Sequence, residues 1–313
     1  MDEKSKTICD GQDKHTLNNS PIVGIVTQLS DGKKKEHGQE FIAASYIKFI
    51  ESAGARVVPI VLQQSEEHYE QMFNSINGLL LPGGDPDLLE SEVARVSKIF
   101  YKLAIKANDE GDVFPIWGTC WGFQFLMCIA CNKDILVSTP DRRLSRKLIF
   151  QPGYEQSKLF RMSVASEEIV KILSKDAVAF NNHKDGVTPE VFKKYGLEEF
   201  YQILTTNHDE NGEEYISMLE AHKYPFYGSQ WHPEVTSFEF SSRFGPHLKH
   251  SLNAVRASQY MANFFVNEAR KNHHCFKDEG EERAALIYNH TPVYTGDFVG
   301  YAQCYFFKTP STL

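Results

Sequence analysis

Three short segments of this chain carry residue types that together perform acyl transfer. The first is Trp117-Gly118-Thr119-Cys120-Trp121-Gly122, set between an apolar run and a helical pattern that opens at Trp121. A nucleophile on a strand-to-helix turn needs glycines two before and two after it, because side chains there would strike neighbouring backbone. Such a turn lifts one side chain above the carboxyl edge of a sheet, where open α/β sheets hold their sites. A thiol there faces a helix N-terminus, whose partial positive charge favours the thiolate. A buried cysteine in a Gly-bracketed turn has the same spelling, so the motif needs partners.

Ser229-Gln230-Trp231-His232-Pro233-Glu234 offers them. Pro233 restricts His232 to an extended conformation. Residues two apart in extended chain point to one side, so Glu234 can hold one nitrogen of the His232 ring while the other exchanges a proton with Cys120. The third segment, Leu81-Pro82-Gly83-Gly84-Asp85, presents unobstructed backbone N–H groups as an oxyanion hole requires. The expected donors are the amides of Gly84 and Trp121, if the strands leading to them are sheet neighbours. All three tryptophans, Trp117, Trp121 and Trp231, flank these motifs. They read equally as walls that keep water from the thiol and as ordinary core.

Other clusters carry less. His273-His274-Cys275 and His247-x-x-His250 lack a matching carboxylate or cysteine pair, so no metal is expected. The sequons at Asn18 and Asn289 are each followed by proline, which makes both poor glycosylation sites. Neither a phosphate-binding loop nor a dinucleotide fingerprint is present, and no cofactor is expected.

These segments need a scaffold. Ile22-Val23-Gly24-Ile25-Val26, Val57-Val58-Pro59-Ile60-Val61-Leu62, Gly78-Leu79-Leu80-Leu81 and Phe114-Pro115-Ile116-Trp117 are continuous apolar runs, as strands buried on both faces require. Pro59 marks the second as an edge strand or a strand start. Helical stripes separate them: Ile42, Tyr46, Phe49 and Ile50, closed by Gly54; a polar helix over 66–73; and Val93, Val96, Phe100, Leu103 and Ala107. The alternation predicts an α/β fold, a three-layer αβα sandwich with a mostly parallel central sheet. Residues 138–156, rich in charge and turn formers, are expected to make a surface excursion. Strands resume at 177–180, 201–205, 214–218 and 225–231, and a long helix covers about 251–270. No repeat or linker divides the chain, so 21–313 reads as one domain behind a polar, flexible tail over 1–20.

Composition bounds the function. The chain has 313 residues, 42% hydrophobic and 24% charged, which excludes disordered and fibrous classes. A net charge of −8 argues against nucleic acid and against an anionic membrane as partners. The longest apolar run, Phe123 to Cys131, is too short to span a bilayer. The six cysteines show no disulfide framework, and Cys128 and Cys131, in an apolar helical stretch, read as core thiols. The tail has no apolar core of a secretory signal, so the chain is expected to be cytosolic if Met1 is its native start.

Leu-Pro-Gly-Gly, Gly-Thr-Cys-Trp-Gly and Trp-His-Pro-Glu together resemble the class I glutamine amidotransferase superfamily. Within it, the chain is similar to the gamma-glutamyl hydrolase family. That closer similarity is carried by Phe41-Ile42-Ala43-Ala44-Ser45-Tyr46, by the stretch 51–59 with Glu51-Ser52-Ala53-Gly54, by 263–272 with Asn263-Phe264-Phe265, and by Ala285-Leu286-Ile287-Tyr288. The resemblance implies a cysteine-type omega peptidase: Cys120 attacks the γ-carbonyl of a folylpoly-γ-glutamate, or of an antifolate polyglutamate, and forms a thioester whose oxyanion sits on the Gly84 and Trp121 amides. It implies substrate contacts at Gly83 and at His183, which by itself reads as an ordinary loop histidine. It also implies a homodimer and a lysosomal, vacuolar or extracellular setting. Against the family pattern, Gln124 stands where an acidic residue is expected, and the stretch 141–154 diverges, which bears on specificity or dimerisation. Two other readings are a glutaminase subunit that feeds ammonia to a synthetase, and a catalytically silent scaffold.

Overall fold

In the computed structural model the described residues are 16–161 and 163–308. In chain order the strands are β1 Ile22–Val26, β2 Gln28–Leu29, β3 Glu40–Ala43, β4 Arg56–Ile60, β5 Gly78–Leu81, β6 Ile116–Thr119, β7 Val137–Arg146, β8 Ile149–Phe150, β9 Ala179–Gly186, β10 Tyr201–His208, β11 Glu214–Ala221, β12 Phe226–Ser229, β13 Val293–Tyr294 and β14 Gln303–Phe307. The α-helices are α1 Ala44–Glu51, α2 Glu66–Phe73, α3 Glu92–Asp109, α4 Trp121–Cys131, α5 Val164–Lys175, α6 Pro189–Lys194, α7 Val235–Phe238, α8 Leu252–Ala269 and α9 Glu279–Ala285.

The central sheet has eight strands in the order β4-β1-β5-β6-β12-β11-β10-β8. Its first five are parallel, and β11, β10 and β8 extend it antiparallel. Strand alternation divides the core. Ile22 and Val26 of β1 face a layer with Tyr69 and Phe73 of α2, Phe100 of α3 and Phe123 of α4. Val23 and Ile25 face the other layer, with Phe49 of α1, Leu173 of α5 and Phe265 of α8. The expected α/β sandwich is therefore present, and β4, which contains Pro59, forms the sheet's edge. No helix among the described residues is long and apolar enough to cross a membrane.

Several expectations need correction. Ile42 is not the start of a helical stripe, because it lies in β3, one strand of a second sheet ordered β13-β14-β3-β2. Most of 138–156 is not a surface excursion: β7 pairs with β9 as a separate ribbon, and β8 joins the main sheet. The charges misled because Asp141 is fully buried, accepting hydrogen bonds from Arg146 and from the Tyr215 hydroxyl at 2.8 Å. Cys275 is disulfide-bonded, contrary to the expectation of no disulfide, while Cys120, Cys128, Cys131 and Cys304 are free. Spacing along a chain says little about thiols that the fold brings together. Residues 1–15 of the expected tail lie outside the described residues. Asn18 is held, its amide donating to the Arg270 carbonyl at 2.7 Å.

Candidate active site

The three motifs meet because β5, β6 and β12 are adjacent parallel strands and each motif leaves a carboxyl end. Leu81 pairs with Gly118, and Ser229 with Thr119, so the register sets Gly83-Gly84, Cys120 and His232 around one opening. Cys120 caps α4 with φ +52° and ψ −102°, a conformation that costs a non-glycine residue about 1–3 kcal/mol. Its amide donates to the Ser229 carbonyl at 2.8 Å, tying the turn to β12. The bracketing glycines are there for space. A Cβ on Gly118 would stand 2.5 Å from the Gly122 carbonyl oxygen, and one on Gly122 would overlap the Leu81 backbone. Gly122→Ala is expected to destabilise the protein by about 3 kcal/mol or more, read by denaturant unfolding; a change below about 1 kcal/mol would mean that the turn opens freely.

His232 is held from both sides. Its amide donates to the Phe180 carbonyl at 2.8 Å, and the Ser258 hydroxyl donates to the Pro233 carbonyl at 2.6 Å. Nδ1 of His232 lies 2.8 Å from Glu234 Oε1 and 3.5 Å from the Tyr46 hydroxyl. The other nitrogen, Nε2, is buried and has no partner of hydrogen-bonding geometry in the resting protein. Burial alone would make the His232 imidazole less basic. The Glu234 carboxylate and the Cys120 thiol more than offset this and raise it to about 10. The arrangement therefore favours an imidazolium beside the thiol, charged and ready to give up a proton.

Gly83 is the tightest point. A Cβ there would come within 2.8 Å of His232 Cε1 and 3.4 Å of Cys120 Cβ, so only glycine leaves this wall open. The Gly83 amide is occupied, donating to the Tyr46 hydroxyl at 2.8 Å. The amides of Gly84 and Trp121 accept this role more readily, for neither has an acceptor among the described residues. Trp121 itself is anchored by its ring N–H, which donates to the Pro86 carbonyl at 2.7 Å. All three tryptophans are almost fully buried, with Trp117 and Trp231 in one core layer and Trp121 in the other.

His183 lies in β9 rather than in a loop, opposite Asp141 and packed edge-on against Tyr215 at 4.8 Å. Burial lowers its basicity to about 4, against the pull of Asp141, and the nearby His232 lowers it further. Both ring nitrogens are buried, and among the described residues neither has a partner of full hydrogen-bonding geometry. Gln124 is also buried, and its amide nitrogen donates to the Asp185 carbonyl at 2.7 Å and to Gln230 Oε1 at 3.1 Å. A carboxylate there has no proton to give either acceptor, so the amide fits this chain's own surroundings. The histidines considered for metal have structural work: His274 bridges the Phe73 carbonyl and Asp112, and His250 meets the Thr236 carbonyl and stacks on Phe240.

Two residues escaped the sequence reading. Tyr46 appeared only in a helical stripe and in a segment of family resemblance, with no role of its own, yet its hydroxyl joins Gly83 to the histidine. Glu239, just after α7, is buried and accepts from the Ala302 amide at 2.6 Å, with Ser45 and Lys48 of α1 nearby. No local pattern marks it. Burial raises its carboxyl to about 7, and the Glu234 charge adds to the rise. Folding thus takes up a proton between the ordinary glutamate range and about 7, and stability falls as pH rises through that window. Glu239→Gln is expected to remove a fall in stability of about 2 kcal/mol between about pH 5 and pH 8, read as the difference between the two proteins' melting temperatures, with the contributions of His183 and His232 common to both. Equal slopes in the two proteins would clear Glu239 as the source.

Comparison with known proteins fits this geometry. The family model described as Peptidase C26 matches residues 21–234, which contain the thiol, the imidazole and the carboxylate. Gamma-glutamyl hydrolase of Homo sapiens is 44% identical over 92% of this chain and 89% of its own length. The chain belongs to the gamma-glutamyl hydrolase family. Other members include gamma-glutamyl hydrolase B of Dictyostelium discoideum, 38% identical over 94% of this chain and 85% of its own, and gamma-glutamyl hydrolase 2 of Arabidopsis thaliana, 35% identical over 100% and 90%. Among solved structures, the glutaminase domain of Trypanosoma brucei CTPS with bound acivicin is 14% identical, covers 80% of this chain and 94% of its own, and has a TM-score of 0.49. Family membership makes the chain a cysteine-type hydrolase.

Proposed function

We propose that this enzyme hydrolyses γ-glutamyl bonds, with folylpoly-γ-glutamates as substrate. The observation that carries the reading is the buried Cys120–His232–Glu234 arrangement on adjacent strand ends in a gamma-glutamyl hydrolase family chain. The Cys120 sulfur attacks the γ-carbonyl carbon, and the Gly84 and Trp121 amides receive the oxyanion. His232 gives its proton to the leaving amine, which departs on the released glutamate or γ-linked peptide and leaves the shortened folyl chain as a thioester. The now neutral imidazole takes a proton from water, the hydroxide attacks the thioester, and the thiolate–imidazolium pair returns as the acid product leaves. Gly83 and His183 line the acyl side. Glu234 keeps the imidazole in one orientation throughout.

A homodimer and a lysosomal, vacuolar or extracellular setting accompany this reading. The disulfide at Cys275 supports an oxidising compartment, since such bonds are rare in reducing ones. The test is mass-spectrometric product analysis of folyl-penta-γ-glutamate incubated with the purified protein, beside free glutamine. Shortened folates are expected. Ammonia from glutamine with intact folate would replace this reading with a glutaminase.

A further inference from the structure

The β7–β9 ribbon has two unlike faces. Its inner face carries Asp141 and His183, opposite each other and buried. Its outer face carries Arg142, opposite Asn182, and then Lys184 two residues further along β9. Arg143, exposed and at φ +56°, is the unpaired residue of a bulge beside them. Arg142 and Lys184 are therefore diagonal neighbours on one exposed face, with backbones roughly 7–8 Å apart. The guanidinium groups of Arg142 and Arg143 have no hydrogen bond or ion pair among the described residues. Glu210 lies beside the backbone here, its Oε1 accepting from the Arg142 amide at 3.5 Å.

Lys184 has one anionic partner, Asp85, at 3.3 Å between Nζ and Oδ2. The two side chains come from opposite walls of the opening: Asp85 follows Gly84, and Lys184 follows His183. Both are largely solvent-exposed, at 55% for Lys184 and 89% for Asp85, so the pair is weak and readily exchanged for another carboxylate.

We propose that Lys184 and Arg142 form a cationic track for the α-carboxylates of a γ-linked polyglutamate tail, Lys184 taking the one nearest the scissile bond and Arg142 the next. This rests on the function proposed above and names how its substrate is held. Spacing supports it. In a γ-linked chain a carboxylate recurs every five main-chain bonds, about 6 Å when extended. Arg142 and Lys184 are diagonal cross-strand neighbours with backbones roughly 7–8 Å apart, and their long side chains can reach successive carboxylates. Without a tail, Asp85 holds Lys184 across the opening; a tail carboxylate displaces it.

The test compares kcat/KM for folyl-penta-γ-glutamate, folyl-di-γ-glutamate and the tail-less γ-glutamyl-p-nitroanilide. Lys184→Gln is expected to lower the penta-to-anilide ratio about fivefold, mainly through KM, and Arg142→Gln to lower the penta-to-di ratio about threefold, as loss of one exposed charge contact predicts. Asp85→Asn is expected to raise the penta-to-anilide ratio about twofold by freeing Lys184. Lys102→Gln, on the exposed side of α3, serves as a charge-matched control with unchanged ratios. Unchanged ratios in the Lys184 and Arg142 variants of an enzyme that cuts tailed folates overturn the track alone. A wild-type protein that cuts no γ-glutamyl substrate overturns the function proposed above, and the track with it.

Discussion

Cys120→Ala is expected to abolish turnover of γ-glutamyl substrates, by at least about 10⁴-fold, while the protein still folds. The thiol is the sole nucleophile at the meeting of three strand ends, and no other side chain in the site can form the thioester. Alanine occupies less space than cysteine and keeps the same backbone demand at φ +52°, so stability should stay near that of the wild type. Product analysis on folyl-penta-γ-glutamate, with circular dichroism on the same sample, separates lost chemistry from lost fold. Residual turnover within tenfold of wild type would remove Cys120 from the reaction.

His232→Ala should cost about 10³- to 10⁴-fold in kcat, because one imidazole serves as acid and then as base. A second readout follows from electrostatics. The Glu234 carboxylate 2.8 Å away and the neighbouring Cys120 raise the imidazole's proton affinity, so His232 carries a charge beside the sulfur. Alkylation of Cys120 by iodoacetamide should therefore be at least tenfold slower in His232→Ala than in the wild type. Glu234→Gln keeps the hydrogen bond's geometry but removes the charge, so it should fall between them on both measures. An alkylation rate that ignores both changes would mean that the thiol is activated by the α4 N-terminus alone.

The chemistry was legible in the sequence because its residues follow apolar strands, whose ends the pattern marks. Gly118 and Gly122 could be read as spacers, and the structure shows which backbones they admit. His183 could not be placed: Asn181-Asn182-His183-Lys184-Asp185 has no apolar alternation, and its strand is held by a partner ribbon with a buried Asp141. Periodicity detects strands that face a hydrophobic core, and this one faces a polar interior. Tyr46 and Glu239 were hidden for another reason. Their roles depend on neighbours from distant parts of the chain: His232 for Tyr46, and Ala302 for Glu239.

That last contact says something about timing. β14 slots beside β3, pairing Cys304 with Ala43, and its approach brings the Ala302 amide to the carboxylate five residues past Glu234. The thiol is synthesised near residue 120, long before β14, the strand that closes the second sheet. Pairing across so many residues forms late in folding. A chain stalled on the ribosome short of residue 300 should show the thiol to alkylating reagents but turn over no substrate. Hydrolysis thus waits for β14, and a chain stopped before it carries its nucleophile unarmed.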